Sequence, residues 1–336
     1  MTTKDQDFRD VAAQLHRPSL LDVYRARNTI KPYVVRTPLH HYPTLSNTLG
    51  CEVYIKHENH QPIGAFKIRN GVNFFVTRAD EIRESGVFTA STGNHGQSVA
   101  YGGFITGVKT TIFMPEEANP GKVESIQAMG SEVVFHGVDF DEAKAHCIER
   151  ADETGAHYLS PGNEPLIIAG AATETLEIIE DLPDVDTIIV PVGGGGGSSG
   201  ACIVAKTISE KIEIIGVQAE SAPSYYESWK QARFLPTDKM ETFAEGLASR
   251  APFELPLSIL VDHLDDFVLV SEDELRDAIV LLLKKTRNLA EGAGAASTAA
   301  AFKLKDRLQG RKVALIMSGG NLSLSNLKAA MARADM

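Results

Sequence analysis

The feature that most constrains this fold is an alternation of short apolar, β-branched runs with helical stretches along most of the chain. Such an alternation is typical of parallel sheets covered by helices on both faces. Runs such as 188–190 and 313–316 are apolar throughout, as strands buried on both faces should be. The predicted fold class is therefore α/β. Strands are predicted at residues 53–57, 87–90, 110–114, 132–135, 187–192, 213–218, 267–270 and 312–317.

Helix signals stand between these strands. One helix is predicted from about Gly96 to Ile105, and another from Asp139 to Glu153. Ser271 and Glu274 form a capping box that opens a helix extending to about Asn288. In open parallel sheets, ligands bind at the carboxyl ends of the strands. Functional residues are therefore expected directly after the predicted strands.

A run of five glycines follows the strand at 187–192 and precedes a helix predicted from about Ser199. Consecutive glycines cost backbone entropy, so a chain keeps them only where they are needed. A flexible linker is a poor explanation, because linkers join domains and not an apolar strand to a helix. The bare backbone can wrap a phosphate with its N–H groups, and the helix N-terminus adds a favourable dipole. The run predicts an anion site formed by Gly193, Gly194, Gly195, Gly196 and Gly197.

The glycine run also permits a second interpretation. Gly195, Gly197 and Gly200 spell G-x-G-x-x-G, and Glu220 lies 20 residues beyond Gly200. This pattern completes a dinucleotide fingerprint and keeps a nicotinamide-dependent (NAD) oxidoreductase open as an alternative. The signal is weak, because almost any glycine spacing is satisfied inside five consecutive glycines.

Three more segments carry side chains suited to catalysis. Lys67 lies between Phe66 and Ile68, where partial burial would make its amine a nucleophile toward aldehydes. Ser91-Thr-Gly-Asn-His95 joins a strand to a helix, and its N–H groups can face an anion. Ser318-Gly-Gly-Asn321 follows the last strand. Taken singly, these segments are equally well explained as a surface lysine, a capped loop and a turn.

Taken together, these segments resemble the fold-type II pyridoxal-phosphate enzymes, specifically the threonine/serine dehydratase and serine racemase group. The order and spacing of the motifs carry the resemblance over nearly the whole chain. It implies a tryptophan synthase β-like fold. The matching segments are Arg36-Thr-Pro-Leu39, Lys56-His-Glu-Asn59, Gly64-Ala-Phe-Lys67, Ser91 to His95, Ala169-Gly-Ala-Ala-Thr173, Gly193 to Gly197, Glu291-Gly-Ala-Gly294 and Ser318-Gly-Gly-Asn321.

The resemblance also implies a division of the chain. A large cofactor-binding domain would comprise residues 1–84 plus 157–336, with a small domain inserted at 85–156. The cofactor would lie in the cleft between the two domains. The chain ends soon after its last motif, so we expect no C-terminal regulatory domain. The resemblance further implies a homodimer.

The resemblance assigns the cofactor, pyridoxal 5'-phosphate, to particular positions. Lys67 would hold it through a Schiff base, and Phe66 would pack against its ring. Asn94 would hydrogen-bond the ring hydroxyl oxygen, and Ser318 would meet the pyridine nitrogen. The glycine run, Gly193 to Gly197, would hold the phosphate.

The substrate positions follow in the same way. Gly246 would line the substrate side of the cleft. Thr92 stands where racemases of the group carry a serine that acts as second base, so Lys67 and Thr92 are the candidate catalytic residues. The substrate carboxylate would be received by Ser91, Thr92, Asn94 and His95.

The implied activity is that of an ammonia-lyase of the threonine/serine type, which converts an L-3-hydroxy amino acid to a 2-keto acid and ammonia. Threonine and serine lead among the substrates, with phenylserine, hydroxyaspartate and a hydroxyectoine-derived catabolite as alternatives. An amino-acid racemase of the same group also stays open. A binding protein without catalysis is a further alternative, although it would leave Lys67 without a purpose.

Several positions depart from the group's pattern. Ala65 stands where the group usually has serine, and Arg69-Asn70-Gly71 stands where Arg-Gly usually follows the lysine. Gln218, Ala222 and Ser224 occupy positions at which many members bind a divalent cation through carboxylates. Hard cations need charged oxygen ligands, so we predict no metal site there.

One further motif is misleading. His57-Glu-Asn-His60 is one residue short of a zinc-protease motif, so we predict a polar loop near the cofactor instead.

Composition excludes several other classes. The net charge of −11 leaves no basic footprint for nucleic acid or an anionic membrane. The widely spaced Cys51, Cys147 and Cys202 form neither a disulfide framework nor a metal motif. The polar first ten residues are unlike a signal peptide, and the best apolar run, 278–283, is too short to span a membrane. The expected location is the cytoplasm.

Overall fold

The computed structural model describes residues 7–118 and 120–334, and these residues form an α/β fold. Residues 1–6 and 335–336 lie outside the described residues. They include both ends of the predicted large domain and part of the N-terminal segment that is unlike a signal peptide. The strands are β1 (Leu39–His41), β2 (Glu52–His57), β3 (Val87–Ala90), β4 (Thr110–Met114), β5 (Glu132–Phe135), β6 (His157–Tyr158), β7 (Thr187–Pro191), β8 (Glu213–Ala219), β9 (Asp266–Val270) and β10 (Lys312–Met317). The helices are α1 (Phe8–Ala13), α2 (Leu20–Ile30), α3 (Pro43–Leu49), α4 (Lys67–Ile82), α5 (Asn94–Thr106), α6 (Pro120–Ala128), α7 (Phe140–Thr154), α8 (Pro165–Asp181), α9 (Gly196–Ile208), α10 (Ser224–Gln231), α11 (Glu254–His263), α12 (Glu272–Thr286), α13 (Gly292–Lys303) and α14 (Leu324–Ala334).

A six-stranded sheet has the order β1-β2-β10-β7-β8-β9. Its strands pair in parallel as predicted, except that β1 pairs antiparallel with β2. The sequence analysis did not predict β1, which has three residues and lies at the edge of the sheet. So short a strand gives no apolar alternation to recognise.

A four-stranded parallel sheet has the order β5-β4-β3-β6. The two-residue strand β6 was also not predicted from the sequence. All four strands lie between residues 87 and 158, so that β6 falls just beyond the inserted segment expected at 85–156. The division into two domains stays a prediction.

The predicted elements are confirmed in type, and some of their limits move. Helix α9 begins at Gly196 and not near Ser199. Glycines carry no helix signal, so the sequence gave no reason to place them in the first turn. Ser271 and Glu274 form the predicted capping box of α12, which ends at Thr286, two residues before the predicted limit.

Helices cover both faces of each sheet. Alternate residues of β7 and β10 enter two separate apolar clusters, as expected for strands buried on both faces. The three cysteines are free and buried, as small apolar side chains. Among the described helices, none combines the length and apolar character needed to cross a membrane.

A buried charge network joins the elements that precede the site. Arg69 on α4 donates to Glu58 through Nε (2.8 Å) and to Glu177 on α8 through Nη1 (2.8 Å). Lys56 on β2 donates to Glu177 (2.6 Å) and to the carbonyl of Thr37 (2.8 Å). The two cations and two carboxylates balance, and their side chains are almost completely excluded from solvent. Glu58 is thus part of a buried salt-bridge network. The sequence predicted only a polar loop for His57-Glu-Asn-His60, of which Glu58–His60 form a short 3-10 helix.

We expect Arg69→Met to lower the free energy of unfolding by about 3–5 kcal/mol, because it leaves two buried carboxylates without their shared cation. The matched control is Arg78→Met on the same helix, where the ion pair with Glu81 is exposed and contributes about 0–1 kcal/mol. Urea unfolding of the apoenzyme measures both. Equal losses for the two variants would contradict the role given to the network.

Candidate active site

Lys67 begins helix α4 and lies beside the segment that follows β10. The N–H group of Phe66 donates to the carbonyl of Ser318 (2.9 Å), and Ala65 forms a bridge with Gly319. The Nζ atom of Lys67 lies 5.0 Å from the centre of the Phe66 ring. The predicted lysine, aromatic and serine positions are therefore neighbours. The Ser318 side chain is buried, and its hydroxyl makes no hydrogen bond to the described residues.

The surroundings of Lys67 favour a neutral amine. Desolvation by the protein lowers the pKa of Lys67 to about 8. Glu174 on α8 is buried as well, and desolvation followed by the charge of Glu58 raises the pKa of Glu174 well above its usual range. The charge of Glu174 raises the pKa of Lys67, but this effect is smaller than that of desolvation. The amine can then act as a nucleophile or base near neutral pH.

The loop from Ser91 to His95 lies between β3 and α5 and is shaped by its serine. The Ser91 Oγ accepts hydrogen bonds from the N–H groups of Gly93 (3.1 Å) and Gly96 (2.8 Å). The N–H groups of Asn94 and His95, in the first turn of α5, have no acceptor within 7–118 and 120–334. These donors form an anion site of the kind expected at a helix N-terminus. Thr92 is partly exposed at the same loop.

Asn94 joins this loop to the two segments opposite. Its Nδ2 donates to Oε1 of Glu291 (2.6 Å), and its Oδ1 accepts from Asn321 (2.8 Å). One hydrogen of the Asn94 amide stays free for a ligand. The sequence analysis included Glu291 and Asn321 in matching motifs but gave neither a role. Their position in those motifs was the signal available.

His95 is present in the site as a neutral ring. Thr89 donates its hydroxyl to the carbonyl of Leu159 (2.8 Å), so the Nε2 of His95 must be the donor to Thr89 (3.0 Å). Desolvation, with the nearby charge of Lys67, lowers the pKa of His95 to about 3. The unprotonated Nδ1 cannot donate to a carboxylate. A carboxylate contact of this residue would therefore use its backbone N–H.

The glycine run is closed by protein on one side and open on the other. A Cβ atom on Gly193 would stand 1.9 Å from the carbonyl oxygen of Gly246, and one on Gly195 would stand 2.5 Å from Pro256. Gly195 also has a φ of 80°, a left-handed conformation suited to glycine. At Gly194 and Gly196 the nearest atoms are at ordinary contact distances of 3.6 Å or more. The run therefore presents open backbone at the start of α9.

A small cavity is lined by Gly246, which contacts the glycine run, and by Glu291 and Asn321, which bond to Asn94. Lys122 and Glu245 form an ion pair in its wall, and Lys122 lies next to Gly93. Another cavity, of about 470 Å³, contains none of the predicted site residues, so size does not mark the site. The lining of the small cavity is Lys122, Phe243, Glu245, Gly246, Glu291, Gly292, Ala293, Asn321, Leu322, Ser323 and Asn326.

Comparison with known proteins identifies the family. Residues 30–319 match the family model described as pyridoxal-phosphate dependent enzyme. The chain is a member of this family. It is 40% identical to an L-threonine ammonia-lyase of Thermotoga maritima over 91% of this chain and 76% of that protein.

Solved structures of family members have the same fold. The processed form of threonine deaminase isoform 2 from Solanum lycopersicum superposes with a TM-score of 0.90 at 31% identity, covering 97% of this chain and 94% of that one. Maize serine racemase gives 0.89 at 30% identity, covering 95% and 98%. The resemblance drawn from the ordered motifs is confirmed. The dinucleotide interpretation loses its support, and its acidic residue Glu220 pairs with Lys303 at the surface (3.2 Å).

The cofactor of this family member is pyridoxal 5'-phosphate, and the described residues fit it. The open backbone at Gly194 and Gly196 suits a phosphate, and a Cβ atom at Gly193 would not be tolerated beside Gly246. Lys67 supplies an amine of lowered pKa for the aldehyde. The fit rests on the backbone and burial of this chain as well as on the motifs.

We expect the rate at which the apoenzyme captures the cofactor covalently to rise with pH and to level off near pH 8. Only the neutral amine attacks an aldehyde, and burial lowers the pKa of Lys67 from 10.5 to about 8. Below that value the rate should fall about tenfold for each unit of pH. Stopped-flow absorbance measures it, with Lys67→Ala as the blank. A rate that rises without levelling off to pH 10 would show that Lys67 is not desolvated.

Proposed function

We propose that this family member is an ammonia-lyase that converts an L-3-hydroxy amino acid, with threonine and serine foremost, to a 2-keto acid and ammonia. The proposal is carried by the convergence of Lys67, the glycine run and the loop from Ser91 to His95 around one cleft. The similarity to a threonine ammonia-lyase over nine-tenths of the chain supports the same activity. We also propose, as the sequence led us to expect, that the protein is a cytoplasmic homodimer.

For the cofactor we propose the positions that the sequence predicts. Gly193 to Gly197 would hold the phosphate, Lys67 would hold the aldehyde carbon, and Phe66 would pack against the ring. Asn94 has one amide hydrogen left, which would bond the ring hydroxyl oxygen, and the free hydroxyl of Ser318 would bond the ring nitrogen. When bound, the cofactor withdraws electrons from the substrate α-carbon and thereby weakens its C–H bond.

The protein's own groups then position the substrate and move its protons. The backbone N–H groups of Asn94 and His95 bind the substrate carboxylate at the start of α5, with Thr92 beside them. Ser91 shapes this loop, because its Oγ is occupied by two N–H groups of the loop. Lys67, neutral in part near pH 8, accepts the proton from the α-carbon. Gly246 leaves space on the substrate side of the cavity.

A racemase is the second candidate, and Thr92 is the residue that favours it. Its hydroxyl is partly exposed at the carboxylate loop, where it could return a proton to the substrate. A hydroxyl needs an acid or base beside it to exchange protons efficiently, and within the described residues no hydrogen bond connects Thr92 to one. Its β-branch also restricts the rotamer. Elimination is therefore the proposed main reaction.

We expect Lys67→Ala to abolish keto-acid release, and borohydride to fix the cofactor to one peptide containing Lys67. Thr92→Ala should keep most of the elimination activity and lose any racemase activity. A panel of threonine, serine, phenylserine and hydroxyaspartate, assayed for keto acid and for D-amino acid, measures both. If Thr92→Ala stopped keto-acid release while the cofactor stayed bound, the two candidate activities would exchange their order.

We expect a chelator such as EDTA to leave the activity unchanged. Among the described residues, no group of three acidic, histidine or cysteine side chains is placed to hold a metal. At the position aligned with metal-binding relatives, Gln218 accepts from the N–H of Tyr226 (3.2 Å) and Ser224 donates to the carbonyl of Ser249 (2.7 Å). Activity that EDTA removed and magnesium restored would contradict this prediction.

A further inference from the structure

The side chain of Asn70 is buried without a hydrogen-bond partner. It lies in the first turn of α4, three residues after Lys67, and is 0% exposed. Neither Nδ2 nor Oδ1 has a partner within the described parts of the chain. An amide buried in this way loses its hydrogen bonds to water and gains none from the protein. A ligand that forms hydrogen bonds with this amide would remove that cost.

The neighbouring Asn73 shows that this helix can satisfy a buried asparagine. Asn73 lies one turn further along α4 and is 2% exposed. Its Nδ2 donates to the carbonyl of Leu166 (2.8 Å). Burial on α4 is therefore no obstacle to a protein partner. What distinguishes Asn70 is the place its amide faces.

The Asn70 amide faces the start of α9. Its Nδ2 lies 3.9 Å from the position that a Cβ atom of Gly196 would occupy, and Cγ2 of Ile167 lies 3.8 Å from that position. Gly196 is the first residue of α9, whose first N–H groups have no acceptor inside the helix. The absence of a side chain at Gly196 thus leaves room for a ligand atom, in contact distance of the Asn70 amide and next to the backbone donors of α9.

The charges around this gap favour an anion. Arg69, next to Asn70, is fully engaged by Glu58 and Glu177. Glu174 has its Oε1 3.3 Å from the Cβ position of Gly197, and burial raises the pKa of this carboxyl well above its usual range, which disfavours its charged form. The helix N-terminus favours negative charge, and the Asn70 amide adds a donor from the side of α4.

We propose that Asn70 donates a hydrogen bond through Nδ2 to the phosphate of the cofactor and thereby helps the protein to select the phosphorylated cofactor over pyridoxal. The glycine run alone would bind the phosphate from the α9 side. Asn70 closes the site from the α4 side, on the same helix that carries Lys67. This inference rests on the proposed function, because it takes the glycine run as the phosphate site.

The test compares the affinities of the apoenzyme for pyridoxal 5'-phosphate and for pyridoxal. Asn70→Leu removes the donor at similar volume, and Asn73→Leu is the matched control. Asn70→Leu should weaken binding of the phosphorylated cofactor about tenfold or more and leave pyridoxal binding unchanged, since a hydrogen bond to a charged group is lost. Asn73→Leu should leave the ratio of the two affinities as in the wild type.

A second variant keeps the test valid if Asn70→Leu fails to fold. Asn70→Asp has nearly the same shape but directs a carboxylate at the phosphate. It should therefore weaken binding of the phosphorylated cofactor, relative to pyridoxal, more than Asn70→Leu does. The ³¹P resonance of the bound cofactor should shift in this variant and not in Asn73→Leu. Equal losses for both ligands, or no loss for either, would overturn the role of Asn70.

The same titrations separate this inference from the proposed function. If the wild-type apoenzyme bound pyridoxal as tightly as the phosphorylated cofactor, the glycine run would not be the phosphate site, and both proposals would fall. If the wild type preferred the phosphorylated cofactor and Asn70→Leu kept the full preference, only the inference about Asn70 would fall.

Discussion

The buried network around Arg69 is the interaction on which the site depends. It ties α4, which carries Lys67, to β2 and α8 through paired charges. A buried ion network of this kind contributes little net stability compared with an apolar core, but removing one partner is costly. Its value here is positional, because the guanidinium geometry fixes the start of α4. Lys67 and Asn70 flank Arg69 and are positioned by the same helix turn.

Parallel topology brings the remaining groups to that helix. The loop at Ser91 to His95 follows β3, the glycine run follows β7, and Ser318 follows β10. Parallel strands end at the same edge of a sheet, so segments far apart in sequence meet there. Asn94 follows β3 of the four-stranded sheet. Its hydrogen bonds to Glu291, before α13, and to Asn321, after β10, join this loop to segments that pack with the six-stranded sheet.

Burial shifts the pKa of most ionisable groups next to the cleft toward the neutral form. The pKa of Lys67 and that of His95 are lowered by desolvation, and those of Glu174 and Glu291 are raised by it. Under the proposed function, the charges of the cofactor and substrate would meet backbone donors and amides. This arrangement suits a site that must bind two anionic groups and keep an amine available as a base.

The sequence by itself determined the α/β class, the longer strands and the order of the motifs, because apolar periodicity and motif spacing are local properties. It missed the short edge strands, and it placed the start of α9 late, because glycines carry no helix signal. Only the tertiary structure decided that Glu58 belongs to a buried ion network, that His95 is neutral, and that Asn70 lacks a partner at the glycine run. Each of these depends on which groups share a desolvated space, and residues as distant as Arg69 and Glu177 meet only when the chain has folded.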